Sequence, residues 1–330
     1  MKYMVIFAGM NGNNCLLHIS SFLTALLLCV LTNAQPGWKV DWNADLNMNG
    51  GTGDYLPFWQ RTGYDGIMPY TSAAILSAGA DFRYESVNGI RMDAGANLVG
   101  QAITAGPWNS RGVKGFVDRL YISGSWKMLH LDIGMKPRIR EFGDLSVTGG
   151  NIVFTGNVRN MPGINAWSDW IYFEKGHWFG VRGNFAHYQT LDNRYVRGTM
   201  IHNKSLAFKV ALGRKVDFEA GLDHWVQWGG TSPETGVRPS SFRDYIRVIL
   251  AQRGGAGATL SDQLNALGNH LGREYIRITW RASAFTMNFQ YDMPFDDGGQ
   301  IIKNEPIPDG VYTLKFSFNI LAHISVPLFS

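Results

Sequence analysis

The chain has 330 residues, of which 45% are apolar, 13% aromatic and only 17% charged, with 39 glycines and a formal net charge of +4. So mild a basic balance does not point to nucleic acid. Abundant Gly and aromatic residues with little charge suit an all-β protein full of tight turns, and argue against an α/β enzyme with its Ala-, Glu- and Lys-rich helices.

The N-terminus reads as a secretory signal over residues 1–34, leaving a mature chain of 35–330. Lys2 supplies a positive n-region, Phe22 to Leu31 an apolar core, and Thr32-Asn33-Ala34 a small-x-small cleavage site before Gln35. A retained membrane anchor is the competing reading. It is disfavoured because the apolar core is short and Gln35-Pro36-Gly37 breaks it at once. The residues before Cys29 are not small, which argues against a lipoprotein site. Cys15 and Cys29 both lie in the leader, so the mature chain is expected to hold no disulfide, thiolate metal site or Cys nucleophile.

Along the mature chain, Trp38 to Leu46 alternates apolar and polar residues and predicts a first strand. Residues 50–69 combine Gly, Pro and Asp with aromatics and predict a compact loop packed inward. Ala73–Tyr84 and Ile90–Val99 predict a hairpin about Val87-Asn88-Gly89, because Asn-Gly favours a tight turn. A second hairpin turns at Trp126-Lys127-Met128, and residues 136–162 look irregular. Trp170 to Tyr188 predicts a third hairpin about Lys175-Gly176.

Leu206, Phe208, Val210 and Leu212, then Val216, Phe218, Ala220 and Leu222 after the Arg214-Lys215 turn, give two more strands with one apolar and one charged face. Ser240 to Arg253 reads as a Ser-capped amphipathic helix with Phe242, Tyr245, Ile246 and Ile249 on one stripe. Residues 254–272 predict a long loop. Strands follow over Ile276–Arg281, Phe285–Tyr291 and Tyr312–Asn319. The total is roughly twelve strands of about 8–11 residues, the length that spans a bilayer when tilted.

Two architectures compete. A soluble sandwich would show shorter strands and Lys/Glu-rich exposed faces. An outer-membrane barrel has short turns at one end, long loops at the other, and aromatic girdles at the interfaces. The observed pattern, with Trp38, Trp126, Tyr188, Trp225 and Trp280 near strand ends, favours the barrel.

Seven segments in order carry a resemblance: Leu56-Pro-Phe-Trp59 with Gly63 and Gly66; Gly149 to Asn157; Ile201 to Lys204; Ala220 to Gly230; Pro239 to Tyr245; Gly268 to Gly272; and Asp292 to Gly310. With them the chain resembles the capsule-assembly Wzi family of outer-membrane proteins. The resemblance implies an all-β transmembrane antiparallel barrel, large and with a plugged lumen, with short periplasmic helices. It also implies residence in the cell outer membrane and a lectin-like, non-enzymatic role in binding capsular or surface polysaccharide. Outer-membrane lipid and the barrel-assembly machinery would be its other partners. Family members carry further hairpins beyond the point where this chain stops, and Phe329-Ser330 only approaches their terminal aromatic. The barrel is therefore expected to be incomplete.

Asp223, His224, Trp225 and Trp228 are the candidate polysaccharide contacts, because aromatic faces stack on sugar rings while Asp and His bond hydroxyls. An architectural corner of interfacial tryptophans and turning glycines explains the same residues. Arg277 and Arg281, with Arg83, Arg91 and Arg182, are expected to face inward and meet Asp81, Asp93, Glu219 and Asp223. They would either hold the lumen shut or guide an acidic glycan. His202, Lys204 and His224 match no metal spacing, and neither a metal nor a cofactor is expected. Asp296-Asp297 and Asp217/Glu219 are the acid pairs that a glycosidase reading would use. An uptake porin is the other alternative.

Overall fold

The computed structural model describes residues 38–61, 63–68, 70–106, 111–138, 151–192, 194–296 and 311–318. The leader with its two cysteines, the Gly149-Gly150 start of one matched segment, residues 297–310 and the chain's last residues lie outside these. The strands are β1 (Trp38–Asn49), β2 (Ser72–Glu85), β3 (Ile90–Ala105), β4 (Gly112–Trp126), β5 (Leu129–Met135), β6 (Gly163–Ser168), β7 (Ile171–Tyr172), β8 (Phe179–Gln189), β9 (Met200–Leu212), β10 (Val216–Trp228), β11 (Thr231–Ser232), β12 (Gly236–Val237), β13 (Asn269–Arg281), β14 (Phe285–Asp296) and β15 (Val311–Phe318). Three short helices accompany them: α1 (Phe58–Arg61), α2 (Phe242–Ile249) and α3 (Leu260–Leu264).

All but β11 and β12 join one 13-stranded sheet, in which each long strand pairs antiparallel with its neighbour in sequence. β1 and β15 form its two edges, so among the described residues the sheet is an open, curled meander. The connections alternate in length. β2 turns into β3 through residues 86–89, where Gly89 takes φ 74° and its N–H reaches the Ser86 carbonyl at 3.1 Å. β4–β5, β9–β10 and β13–β14 turn just as tightly at the same end. The long connections, 50–71, 136–162 and 229–268, all lie at the other end.

The two faces invert the pattern of a soluble protein. Charged and amide side chains are buried: Arg273 is 3% exposed, Asp292 1%, and Asn97, Asp118, Glu219, Arg277 and Gln290 are likewise covered. Apolar side chains on the opposite face are open: Leu46 is 65% exposed and Phe208 44%, with Leu76, Ile122, Leu131, Leu206 and Ile276 similar. Strand alternation alone generates two faces. Curling the sheet then decides that the polar face is inside, where each charge finds a partner.

Those partners are specific. Arg277 Nη1 lies 3.4 Å from Glu219, and Arg83 and Arg91 both reach Asp93, at 3.2 and 2.9 Å. Two expected pairings are corrected. Arg281 binds Asp217 at 2.5 Å, an acid outside the expected set, because Asp217 stands opposite Thr279, on the diagonal from Arg281. Asp81 pairs with Arg119, at 3.1 Å, a residue that strand phase had not singled out.

Further corrections concern local structure. The 136–162 segment is followed by β6, which the alternation had not shown; β8 pairs with β6 on one side and β9 on the other, and the first arm of the expected third hairpin shrinks to the two-residue β7. Asn269 to Gly272, expected in a loop, begin β13, and α3 interrupts the same loop with Thr259 as its cap. Trp38, Trp126 and Trp280 do form an exposed aromatic band at the short-turn end. Trp225 and Tyr188 instead turn into the interior, because their strand parity matches the charged face.

The interior is partly filled by chain. Leu56 and Met68 of the first long connection pack on Ile75, Val99 and Ile103. Val153, Phe154 and Met161 of the second pack on Ala186, Tyr188 and Trp225. The expected compact inward loop is thus present, and a second one joins it. On the outer face, α2 covers the long-connection end of β8–β10. Ser241 caps it through a capping box with Asp244. The buried stripe is rotated from the one expected: Tyr245 and Val248 pack on Trp228, Val226 and Leu267, while Phe242 and Ile246 stay exposed.

Candidate functional site: a polar, aromatic-lined cavity in the lumen

Between the inner face of β5–β13 and the inward 151–162 segment lies a cavity of about 410 Å³. Its wall carries a row of amides that crosses three strands. Asn184 of β8 donates to Asn165 of β6 at 3.0 Å and to Asn203 of β9 at 2.8 Å. Asn203 in turn donates to Asp223 of β10 at 2.7 Å. Ser205 closes the row by donating to Asn184 at 2.7 Å. Such a row is possible because alternate residues of neighbouring antiparallel strands stand side by side. Each member spends only part of its hydrogen-bonding capacity on the others.

The loop side of the cavity is fixed to this row. Asn151 donates to Asp223 at 2.5 Å while its own Oδ1 accepts from the N–H groups of Val153 and Phe154, both at 2.9 Å. That Asx turn places the Phe154 ring flat on Trp225, with centroids 4.7 Å apart and planes 8° apart. Arg138 lies against the same aromatic group, with Cζ 3.1 Å from the Phe154 centroid, 4.4 Å from Trp225 and 4.9 Å from Tyr188. Burial depresses its guanidinium to about 10, with Tyr188 and Asp223 acting in the opposite sense, so it stays charged at neutral pH.

A second carboxylate, Asp132, accepts from Ser123 at 2.7 Å, Trp167 Nε1 at 2.7 Å and Lys136 at 2.6 Å. Arg182 and Arg273 complete the polar lining. Arg273 holds Asp292 at 2.6 Å and stands 3.7 Å from Asp223.

The candidate residues separate. Asp223 and Trp225 line the cavity. His224, one residue between them, points to the outer face, where Nε2 lies 2.9 Å from His270 Nδ1 and the ring stacks on Phe295. Trp228 is also outside, stacked on Tyr245 at 5.5 Å beneath α2. Arg277 and Arg281 face inward but away from the cavity, held by Gln290 and Glu219 and by Asp217. His202 sits between Phe185 and Tyr245, and Lys204 donates to the Ile249 carbonyl at the end of α2. The acid pair Asp217/Glu219 is taken up by Arg281, Lys209 and Arg277. Asp296 ends β14, and Asp297 lies outside the described residues.

Sequence reasoning did not select Arg138, Asn165 or Asn184. Asn151, Phe154 and Asn203 stood inside matched segments without being singled out.

The fold and site together define a class: an antiparallel β-wall with a polar, loop-filled interior and an apolar exterior. No family model and no curated protein matches the chain. Among solved structures it is similar to Wzi of Escherichia coli, an outer membrane protein involved in group 1 capsule assembly and a carbohydrate-binding β-barrel. The identity is 14% and the TM-score 0.39; the match covers 81% of this chain and 58% of that one. An overlap this loose adds nothing to the argument from geometry.

Proposed function

We propose that the chain forms wall of an outer-membrane β-barrel whose lumen binds capsular or surface polysaccharide without cleaving it. The observation that carries this reading is the amide row running past stacked aromatics in a polar cavity. Sugar rings present apolar faces to aromatic side chains and hydroxyls to amides and carboxylates, and the cavity offers both. The exposed apolar face fits hydrocarbon, and strands satisfy their backbone groups there by pairing. Lipid and the barrel-assembly machinery would then be its partners in the membrane. By connection length the 229–268 end, with α2 and α3, would face the cell surface, whereas the resemblance implies periplasmic helices.

The test uses the full chain folded in detergent micelles. Titration calorimetry with oligosaccharides of six residues is expected to show saturable binding with no new reducing ends. Absence of binding to every glycan tried, or glycan cleavage, refutes the reading. Fractionation of cells should recover the protein with the outer membrane.

A further inference from the structure

Two buried donors on residues that line the cavity have no acceptor among the described residues. They are Arg138 Nη2 and Trp225 Nε1, both shielded from solvent and without a hydrogen-bond partner among the described residues. Both residues line the same cavity, and Trp225 is only 7% exposed. A buried donor left without an acceptor is costly, and native structures seldom tolerate two together without a reason.

The acids nearby do not supply the missing acceptor. Asp223 is occupied by Asn203, Asn151 and Arg273, and Asp132 by Ser123, Trp167 and Lys136. Arg182 has Glu219 at 3.9 Å and Arg273 has Asp292 at 2.6 Å, whereas Arg138 has no carboxylate within ion-pair distance among the described residues. Its flat guanidinium is instead braced on Phe154, Trp225 and Tyr188, which fixes its plane.

From this we infer that the cavity selects acidic sugars, with Arg138 Nη2 and the Trp225 indole N–H both donating to the carboxylate of a uronic-acid residue. A carboxylate only accepts, carries the charge that Arg138 lacks opposite it, and has two oxygens for two donors. The amide row would bond the hydroxyls of the same or adjoining sugars. This inference rests on the polysaccharide reading above and narrows it to a ligand class.

The experiment compares hexagalacturonate with its fully methyl-esterified form, which has the same sugars and linkage but no charge. Binding to the full chain in a zwitterionic detergent is followed by calorimetry at low salt. The acid is expected to bind about tenfold or more tighter than the ester, as for a charge-assisted hydrogen bond. Trp225→Phe keeps an aromatic ring against Phe154 but removes the N–H together with part of the indole; Arg138→Gln removes the charge. Each should weaken binding of the acid more than binding of the ester, and so shrink the acid-over-ester preference. Should Arg138→Gln fail to fold, the parent's preference and Trp225→Phe still decide. Equal binding of acid and ester by the parent protein overturns the acidic-sugar inference and leaves the polysaccharide reading standing. No binding of either overturns both. A preference retained in full by Trp225→Phe and by a folded Arg138→Gln overturns the assignment to these two donors.

Discussion

Replacing Arg273 with Met tests whether the buried charges of the lumen hold the wall together. Arg273 is covered and spans two strands: Nη1 donates to Asp292 at 2.6 Å, and Nε stands 3.7 Å from Asp223. Methionine fills much of the volume but leaves both carboxylates without their cation. Breaking one partner out of a buried ion pair costs about 3–5 kcal/mol, mainly because the other charge is left uncompensated. Asp223 keeps the amides of Asn203 and Asn151, and among the described residues Asp292 keeps the Gln290 amide at 2.6 Å. The loss therefore falls chiefly on Asp292, and the lower end, about 3 kcal/mol, is expected. In equilibrium urea unfolding from lipid vesicles this is roughly a hundredfold shift in the folded-to-unfolded ratio. Adding Asp292→Asn should recover a large part of it by removing the orphaned charge. If Arg273→Met alone is as stable as the parent, the charges are solvated rather than buried, and paired charges do not hold the interior together.

Further outcomes are expected. Leu206→Arg or Ile276→Arg should cost about 2–4 kcal/mol in vesicles if this face meets hydrocarbon, against under about 0.5 kcal/mol for an open surface in water; vesicle unfolding separates the two. Gly221→Ala would put a methyl carbon 2.5 Å from the Tyr275 ring and should destabilise by about 1–3 kcal/mol, with Gly221→Ala/Tyr275→Leu recovering most of the loss in the same assay. Ser241→Ala should loosen α2 by about 1 kcal/mol, seen as faster amide exchange confined to Phe242–Ile249. Asp244 adds a pH dependence there. Burial alone would raise its carboxyl, but Ser241 and Arg247 outweigh it and hold it below the usual 3.8, so the protection of α2 is complete above that value and fades as pH falls through the lower folded one. Finally, a single Leu264→Cys in cells should react with a membrane-impermeant maleimide if the long-connection end faces outward; labelling only after lysis would place it in the periplasm.

The sequence determined the period-2 strands, the Asn-Gly turn and the contrast of short and long connections, because each is a local property of alternation or turn chemistry. It also determined the Ser cap of α2, where Ser241 and Asp244 lie three residues apart. It could not order the two faces at the ends of strands. His224 and Trp228 share a parity, and so do Asp223 and Trp225, yet only curvature and the inward loop decide that the second pair meets a cavity. β6 escaped notice because its six residues carry only a short alternation, and its pairing with β5 and β8 supplies its definition.

The cavity itself was the least legible feature. Its amides come from β6, β8 and β9, and Arg138 and Asn151 from an irregular segment, at separations that no local pattern links. Sequence alone fixed that one face would be polar and the other apolar. The tertiary structure decided that the polar face is the buried one, because the sheet's curl brings distant charges within reach of one another.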